Sequence, residues 1–350
     1  MTQLRDGISA RTVSTERLRM HVTEVDGRDG APVVFVHGNV SSSLFWQDTM
    51  LRVPAPYRPL AIDLRGFGGT DPEPIDASRG VRDHVDDLVA AFAAMGLDKV
   101  HLVGWSMGGG VVLQLLRDHP ELVRTATLVN PVSPYGFGGT RGLDGELIDA
   151  SGAGSGAGGA NPDFVRLLGE GDRGADSPLS PRSVMLAFYY KPPFEPADAD
   201  LFVESMLSTR LGDDHYPGDA TTSDVWPGLA PGTRGVLNSI APNHFRVDDL
   251  HTIEVKPPIR WIRGSDDQIV SDTSMFDLAY LGQLGAVPGW PGEETHPPQP
   301  MVGQTRAVLD RYAAAGGTYD EVVIADTGHS PHIEKPAEFA AALVDILGKG

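Results

Sequence analysis

The chain has 350 residues with 41% hydrophobic and 21% charged content, the balance of an ordinary globular protein of one large domain or a core with an insertion. Its formal net charge of −19 and pI near 4.8 disfavour phosphate backbones and anionic lipid, so neither nucleic acid nor membrane is an expected partner. With no cysteine, disulfides, thiolate metal sites and a cysteine nucleophile are excluded.

The first twenty residues have no continuous apolar stretch, and no later run reaches the length of a membrane span, so a cytoplasmic location is the expectation. Leu18 to Val25 alternates as a strand, and Pro32 to Val36 is an apolar run suited to a strand buried on both faces of a parallel sheet. It leads into His37-Gly38-Asn39-Val40-Ser41, a polar loop able to turn backbone N–H groups toward one point. Leu60 to Asp63 is a further strand, followed by the glycine-rich loop Leu64 to Thr70, which lacks the spacing of either a phosphate cradle or a dinucleotide fingerprint. From Val81 to Met95 the apolar residues Val85, Leu88, Val89 and Phe92 share one helical face, and Gly96 is a stop signal.

The stretch Lys99 to Leu116, KVHLVGWSMGGGVVLQLL, reads as strand, tight turn and helix, with the helical run expected from Val111. Its turn, Gly104-Trp105-Ser106-Met107-Gly108, matches G-x-S-x-G, in which a serine on a strained corner points its hydroxyl into open space. Small residues on both sides let the backbone take the corner, and the N-terminal amides of the following helix favour negative charge beside Ser106. If the carbonyl attacked by Ser106 sits at the mouth of the His37 loop, the amides of Asn39 and Met107 form an oxyanion hole. Trp105, next to the serine, is the candidate substrate-binding side chain.

Thr125 to Val129 is another strand, after which the strand and helix rhythm breaks. Residues 131–258 hold a glycine-rich tract and then helix-like pieces rich in aromatics, which predicts a mainly helical lid inserted into a core of residues 1–130 and 259–350. The rhythm resumes with Ile259 to Arg263 and is interrupted again by the proline-rich stretch 280–304, expected to be a second cover loop near the site. Arg306 to Ala315 reads as a helix, Glu321 to Ala325 as the last strand, and Ala337 to Leu347 as a closing helix.

A serine hydroxyl needs a neighbouring base, and that base needs an orienting carboxylate. Three strand ends supply them in the order Ser106, Asp267, His329, and open parallel sheets gather such residues at the carboxyl ends of their strands. His37 and His332 are expected to brace the loops around them. The remaining histidines, His21, His84, His101, His119, His215, His244, His251 and His296, show no ligand spacing, so no metal is assigned.

The stretches VVFVHGN, DLRGFGGT, HLVGWSMGG, IRWIRGSDDQIV and DTGHSPHIEKPAEF together resemble the α/β-hydrolase superfamily, lying between residues 32 and 347 and leaving the lid unmatched. That resemblance implies a mostly parallel central sheet flanked by helices, and it selects Asp267 over its neighbour Asp266 as the acid. The His-Gly-Asn loop with Trp46 is also similar to the haloalkane dehalogenase branch, but Ser106 stands where that branch needs a carboxylate nucleophile. The elbow is similar in turn to cofactor-free perhydrolases. The expected activity is hydrolysis of a carboxylic ester or lactone of an apolar small molecule through an acyl-enzyme, with no cofactor. The same triad would also serve C–C bond hydrolysis or peracid formation, and a ligand receptor on a hydrolase scaffold is the alternative from another class.

Overall fold

A computed structural model describes residues 4–350. Eight strands form one sheet: β1 (Ile8–Ser14), β2 (Arg19–Val25), β3 (Ala31–Val36), β4 (Tyr57–Ile62), β5 (Val100–Trp105), β6 (Val123–Val129), β7 (Ile259–Gly264) and β8 (Tyr319–Ile324), in the spatial order β1-β2-β4-β3-β5-β6-β7-β8. β1 pairs antiparallel with β2 and β2 with β4, and from β4 to β8 every pairing is parallel. All six residues of β5 are buried. Such a strand, covered on both faces, has little freedom to shift in register or direction, so it is a rigid support for whatever follows it.

The strand order reverses around β3 and β5, and the loops leaving their carboxyl ends face a common crevice. Helix α1 (Arg82–Met95) ends at Gly96, whose φ of +67° suits glycine alone among the residues there. Helix α2 (Met107–Asp118) follows β5 without a break. It therefore begins four residues before the expected start at Val111 and takes Gly108, Gly109 and Gly110 inside it. Close packing explains this, because a Cβ on Gly108 would stand 2.4 Å from the His37 carbonyl oxygen and one on Gly109 2.6 Å from Pro131 Cβ. Helix–sheet contact outweighs the roughly 1 kcal/mol that each glycine costs a helix. Helices α3 (Met301–Ala314) and α4 (Pro336–Leu347) complete the core.

The insert between β6 and β7 differs from the mainly helical lid that its sequence predicts. Its helices are the short segments Pro162–Glu170, Pro181–Val184, Ala199–Leu207 and Val236–Ser239, with a π turn at Met185–Tyr189. Two 3-10 turns, Ala157–Gly159 and Leu250–Thr252, three two-stranded pairings and loops make up the rest. Positive φ at Gly136, Gly138, Gly139 and Gly152, among others, turns the chain where a helix would have to continue.

The stretch 280–304 is also less irregular than expected: it opens inside a helix, Leu278–Gln283, and closes inside α3. Its middle packs on the insert, with Gln299 accepting from the Gly138 N–H at 2.7 Å and Pro288 accepting from Trp226 Nε1 at 2.9 Å. The short edge strand β1 is absent from the sequence reading because its ISARTVS pattern, half polar and half exposed, carries almost no hydrophobic signal. Among the described residues no helix is long and apolar enough to cross a membrane.

Candidate active site

Ser106 sits at the junction of β5 and α2 with φ +58° and ψ −122°, a strained conformation for a residue with a side chain. Its backbone is fixed on every side. The N–H donates to the Val129 carbonyl at 2.9 Å, and its carbonyl accepts from Gly109 N at 2.9 Å and Val132 N at 3.0 Å. Gly104 and Gly38 make room for the corner, since a Cβ on Gly104 would meet Gly108 O at 2.3 Å and one on Gly38 would meet Ser106 Cβ at 2.9 Å.

His329 lies on the loop after β8, and its Nδ1 is 2.9 Å from Asp267 Oδ2 on the loop after β7. His329 is 2% exposed and Asp267 8%, so water does not compete for this bond. The other carboxylate oxygen, Oδ1, accepts from the backbone N–H groups of Ile269 at 2.8 Å and Val270 at 3.1 Å. A carboxylate only accepts, so Nδ1 is the donor, and the Nε2 lone pair of the neutral ring is left for the cavity. Asp266 is placed quite differently. Its carboxylate is half-exposed, accepts from Ser265 Oγ at 2.6 Å and stands 3.0 Å from Lys191 Nζ, contacts that hold its pKa below the usual aspartate value.

Ser106 and His329 open onto one cavity of about 620 Å³, mouth included, together with Asn39, Trp105 and Met107. The rest of its wall is apolar apart from the Tyr189 ring: Val132, Phe137, Leu237 and Ile240 from the insert, and Ile269, Val270 and Phe276 from the segment after β7. No residue of the stretch 280–304 lines it, so that stretch is not a wall of this cavity. A separate cavity, between Arg5, Gln47, Phe194 and Phe202, contains His332 but, among the described residues, no hydroxyl nucleophile.

Among the described residues, neither the Asn39 nor the Met107 N–H has an acceptor within the chain. The Asn39 loop is held by His37, whose Nε2 accepts from Leu64 N at 3.0 Å, leaving Nδ1–H to donate to the Gly38 carbonyl at 2.7 Å. Burial lowers the His37 pKa, which keeps the ring neutral for this task. Asp63 anchors the far end by accepting from Ser43 N at 2.7 Å. Burial alone would raise the Asp63 pKa, but hydrogen bonds from His21 and Gly69, with the charge of His21, bring it below the ordinary value.

His332 braces the other side. It is packed 4.4 Å from the Trp46 ring and 5.1 Å from the Trp105 ring, and burial, aided by His329, pushes its pKa down to about 3. Trp105 lines the cavity, yet it also donates from Nε1 to the His329 carbonyl at 2.8 Å.

Three residues around the site escaped the sequence reading. Asn130, at φ +39° after β6, donates from Nδ2 to the His329 carbonyl at 2.7 Å and accepts from Gly264 N at 3.1 Å, which ties three strand ends together. Its only sequence signal is its position at a strand end before Pro131. Glu334 accepts from Gly328 N at 2.7 Å and from Lys191 N at 2.8 Å. Burial raises its pKa to about 7, against the pull of those two N–H groups. Tyr189 reaches the site from the insert.

This fold, with the elbow serine at the carboxyl edge of β5, defines an α/β hydrolase, and the comparison with known proteins agrees. Residues 33–342 match the alpha/beta hydrolase family, to which the chain belongs. The chain is 41% identical over 106 residues, 29% of its length and 25% of the relative's, to the protein named Probable lysophospholipase BODYGUARD 4 of Arabidopsis thaliana. It is 29% identical over 124 residues, 35% of its length and 41% of the relative's, to the uncharacterized carboxylesterase nap of Bacillus subtilis. Matches to the first curated relatives span only 21% to 50% of those proteins' lengths. Among solved structures, the serine hydrolase CCSP0084 of Cycloclasticus zankles superposes with a TM-score of 0.61 at 18% identity, covering 98% of each chain, a likeness of fold alone.

Proposed function

We propose that this hydrolase cleaves a carboxylic ester or lactone of an apolar small molecule through an acyl-enzyme on Ser106. The observation that carries this reading is one cavity lined by both Ser106 and His329, the latter paired with the buried Asp267, within an otherwise largely apolar wall. His329 Nε2 takes the Ser106 proton as Oγ attacks the carbonyl, and Asp267 holds the ring in the required tautomer and steadies the imidazolium that forms. The free N–H groups of Asn39 and Met107, the latter at the start of α2, receive the developing oxyanion. His329 then returns the proton to the leaving alkoxide. Water activated by the same ring releases the acid, so no cofactor enters the cycle.

Residues 131–258 act as the lid and shape the acyl subsite through Phe137, Leu237 and Ile240. With no charged side chain in the wall apart from the triad, neutral acyl groups are the favoured ligands.

The test is steady-state hydrolysis of p-nitrophenyl esters from acetyl to long acyl chains, with a few lactones and with Ser106→Ala as control. Turnover that drops at least about a thousandfold in the variant is the expected result. Tight ligand binding without turnover in the wild type would instead point to a receptor. Fluorophosphonate labelling of Ser106 without ester turnover would move C–C bond hydrolysis to the front.

A further inference from the structure

The loop that offers the Asn39 N–H is pinned by the core at its two ends but not in its middle. Gly38 O is occupied by His37 Nδ1 and by Ser41 Oγ, at 2.7 and 2.9 Å, and Ser43 N by Asp63. Between them Val40 takes φ +45°, a costly conformation for a β-branched residue that persists only where its surroundings enforce it. The hydrogen bonds that reach this middle come from the insert. Tyr189, at the end of the π turn, points its hydroxyl at the carbonyls of both Asn39 and Val40, 3.2 and 3.3 Å away.

The Tyr189 ring itself is fixed by aromatic neighbours, Phe45 at 6.1 Å and Trp105 at 5.7 Å between centroids. The side chain is 7% exposed. Burial raises its pKa far above the ordinary tyrosine value, so the hydroxyl stays a donor throughout the working pH range.

We propose that Tyr189 is a positioning residue for the oxyanion hole: it fixes the peptides that follow Asn39 while the core fixes the one that carries the Asn39 N–H, so that seating of the insert sharpens the aim of this N–H at the reacting carbonyl. The inference rests on the serine-hydrolase reading above. It makes the insert part of the catalytic frame as well as a cover over the cavity. Tyr189 touches neither nucleophile nor base by hydrogen bond, so its influence is felt in the transition state, when the oxyanion forms and donor alignment counts most.

Tyr189→Phe keeps the ring and removes only the hydroxyl. Its kcat for a p-nitrophenyl ester, normalised to the serines titrated by a fluorophosphonate, is expected to fall about ten- to thirtyfold, less than for outright loss of an oxyanion donor. KM should stay within about twofold, and the rate of phosphonylation, which also builds charge on an oxygen in the hole, should fall in parallel. Tyr190→Phe is the control: the neighbouring tyrosine is also buried, but its hydroxyl has no partner among the described residues, so its loss should leave kcat unchanged.

A wild-type kcat per titrated serine in Tyr189→Phe, or a change confined to KM, overturns the role of Tyr189. So does an equal loss of kcat in Tyr190→Phe, which would mark a general packing effect. Failure of the reading beneath it looks different: the wild type would then neither turn over esters nor be labelled at Ser106.

Discussion

Asp266 and Asp267 are the same chemical group one residue apart, and only their surroundings separate them. Asp267 spends one oxygen on two backbone N–H groups and the other on His329, in a place that water barely reaches. Asp266 faces solvent, Ser265 and Lys191. Asp267→Asn would keep the shape but could present an N–H to His329 Nδ1, favouring the wrong tautomer, so kcat for ester hydrolysis should drop by roughly 10³ to 10⁴. Asp266→Asn should leave kcat within about threefold, since it removes only an exposed ion pair. Steady-state kinetics of the two variants side by side would decide the assignment, and the reverse ranking would refute it. The placement of Ser106, Asp267 and His329 at strand ends around one crevice was legible in sequence because each lies in a short motif there. Tyr189, Asn130 and Glu334 were not, because each acts through a partner more than a hundred residues away and nothing in its neighbouring sequence marks it.

At the scale of elements, the elbow works because β5, α2 and the end of β3 are in backbone contact. Gly108 is the clearest test, since an added Cβ would lie 2.4 Å from His37 O and 2.5 Å from Val36 O, both backbone atoms that no rotamer change can move. Gly108→Ala should therefore push α2 off β3 and cost roughly 1–3 kcal/mol, occasionally more, as overpacking does. Urea denaturation would measure the loss, and ester turnover should fall with it because the Met107 N–H rides on the same helix end. An alanine tolerated at wild-type stability would mean that the packing is looser than these distances describe. The buried parallel strands were readable as apolar runs, and α1, α3 and α4 from their spacing. The insert was not, because its aromatic residues suggested helices while its glycines, at positive φ, dictated turns. Composition there reports hydrophobicity but not the path of the chain.

Across the whole molecule, one carboxyl joins the insert to the part of the core that carries His329. Glu334 accepts from Lys191 N in the insert and from Gly328 N beside His329, so its protonation state is linked to how firmly the two parts hold together. Burial, with a smaller contribution from the Asp267 charge, raises its pKa from 4.5 to about 7, although both N–H groups favour the carboxylate. A folded-state pKa above the unfolded one means that the folded protein binds the proton more tightly. Below about pH 4.5 both states are protonated and the Glu334 contribution is at its greatest. Between 4.5 and about 7 the unfolded chain releases its proton while the folded chain keeps it, so that contribution declines as pH rises, and above about 7 it is level. Glu334→Gln cannot ionise. Below about pH 4.5 it should cost about 1 kcal/mol, because its amide nitrogen cannot accept the second N–H, and it should lack the decline. The melting temperature of the wild type minus that of Glu334→Gln, which cancels the titration of every other group, should therefore shrink from pH 4.5 to 7 and then stay constant. A difference that is flat across that window, or that widens with pH, would mean that the hydrogen bonds from Lys191 and Gly328 outweigh burial and that Glu334 clamps the insert as a carboxylate.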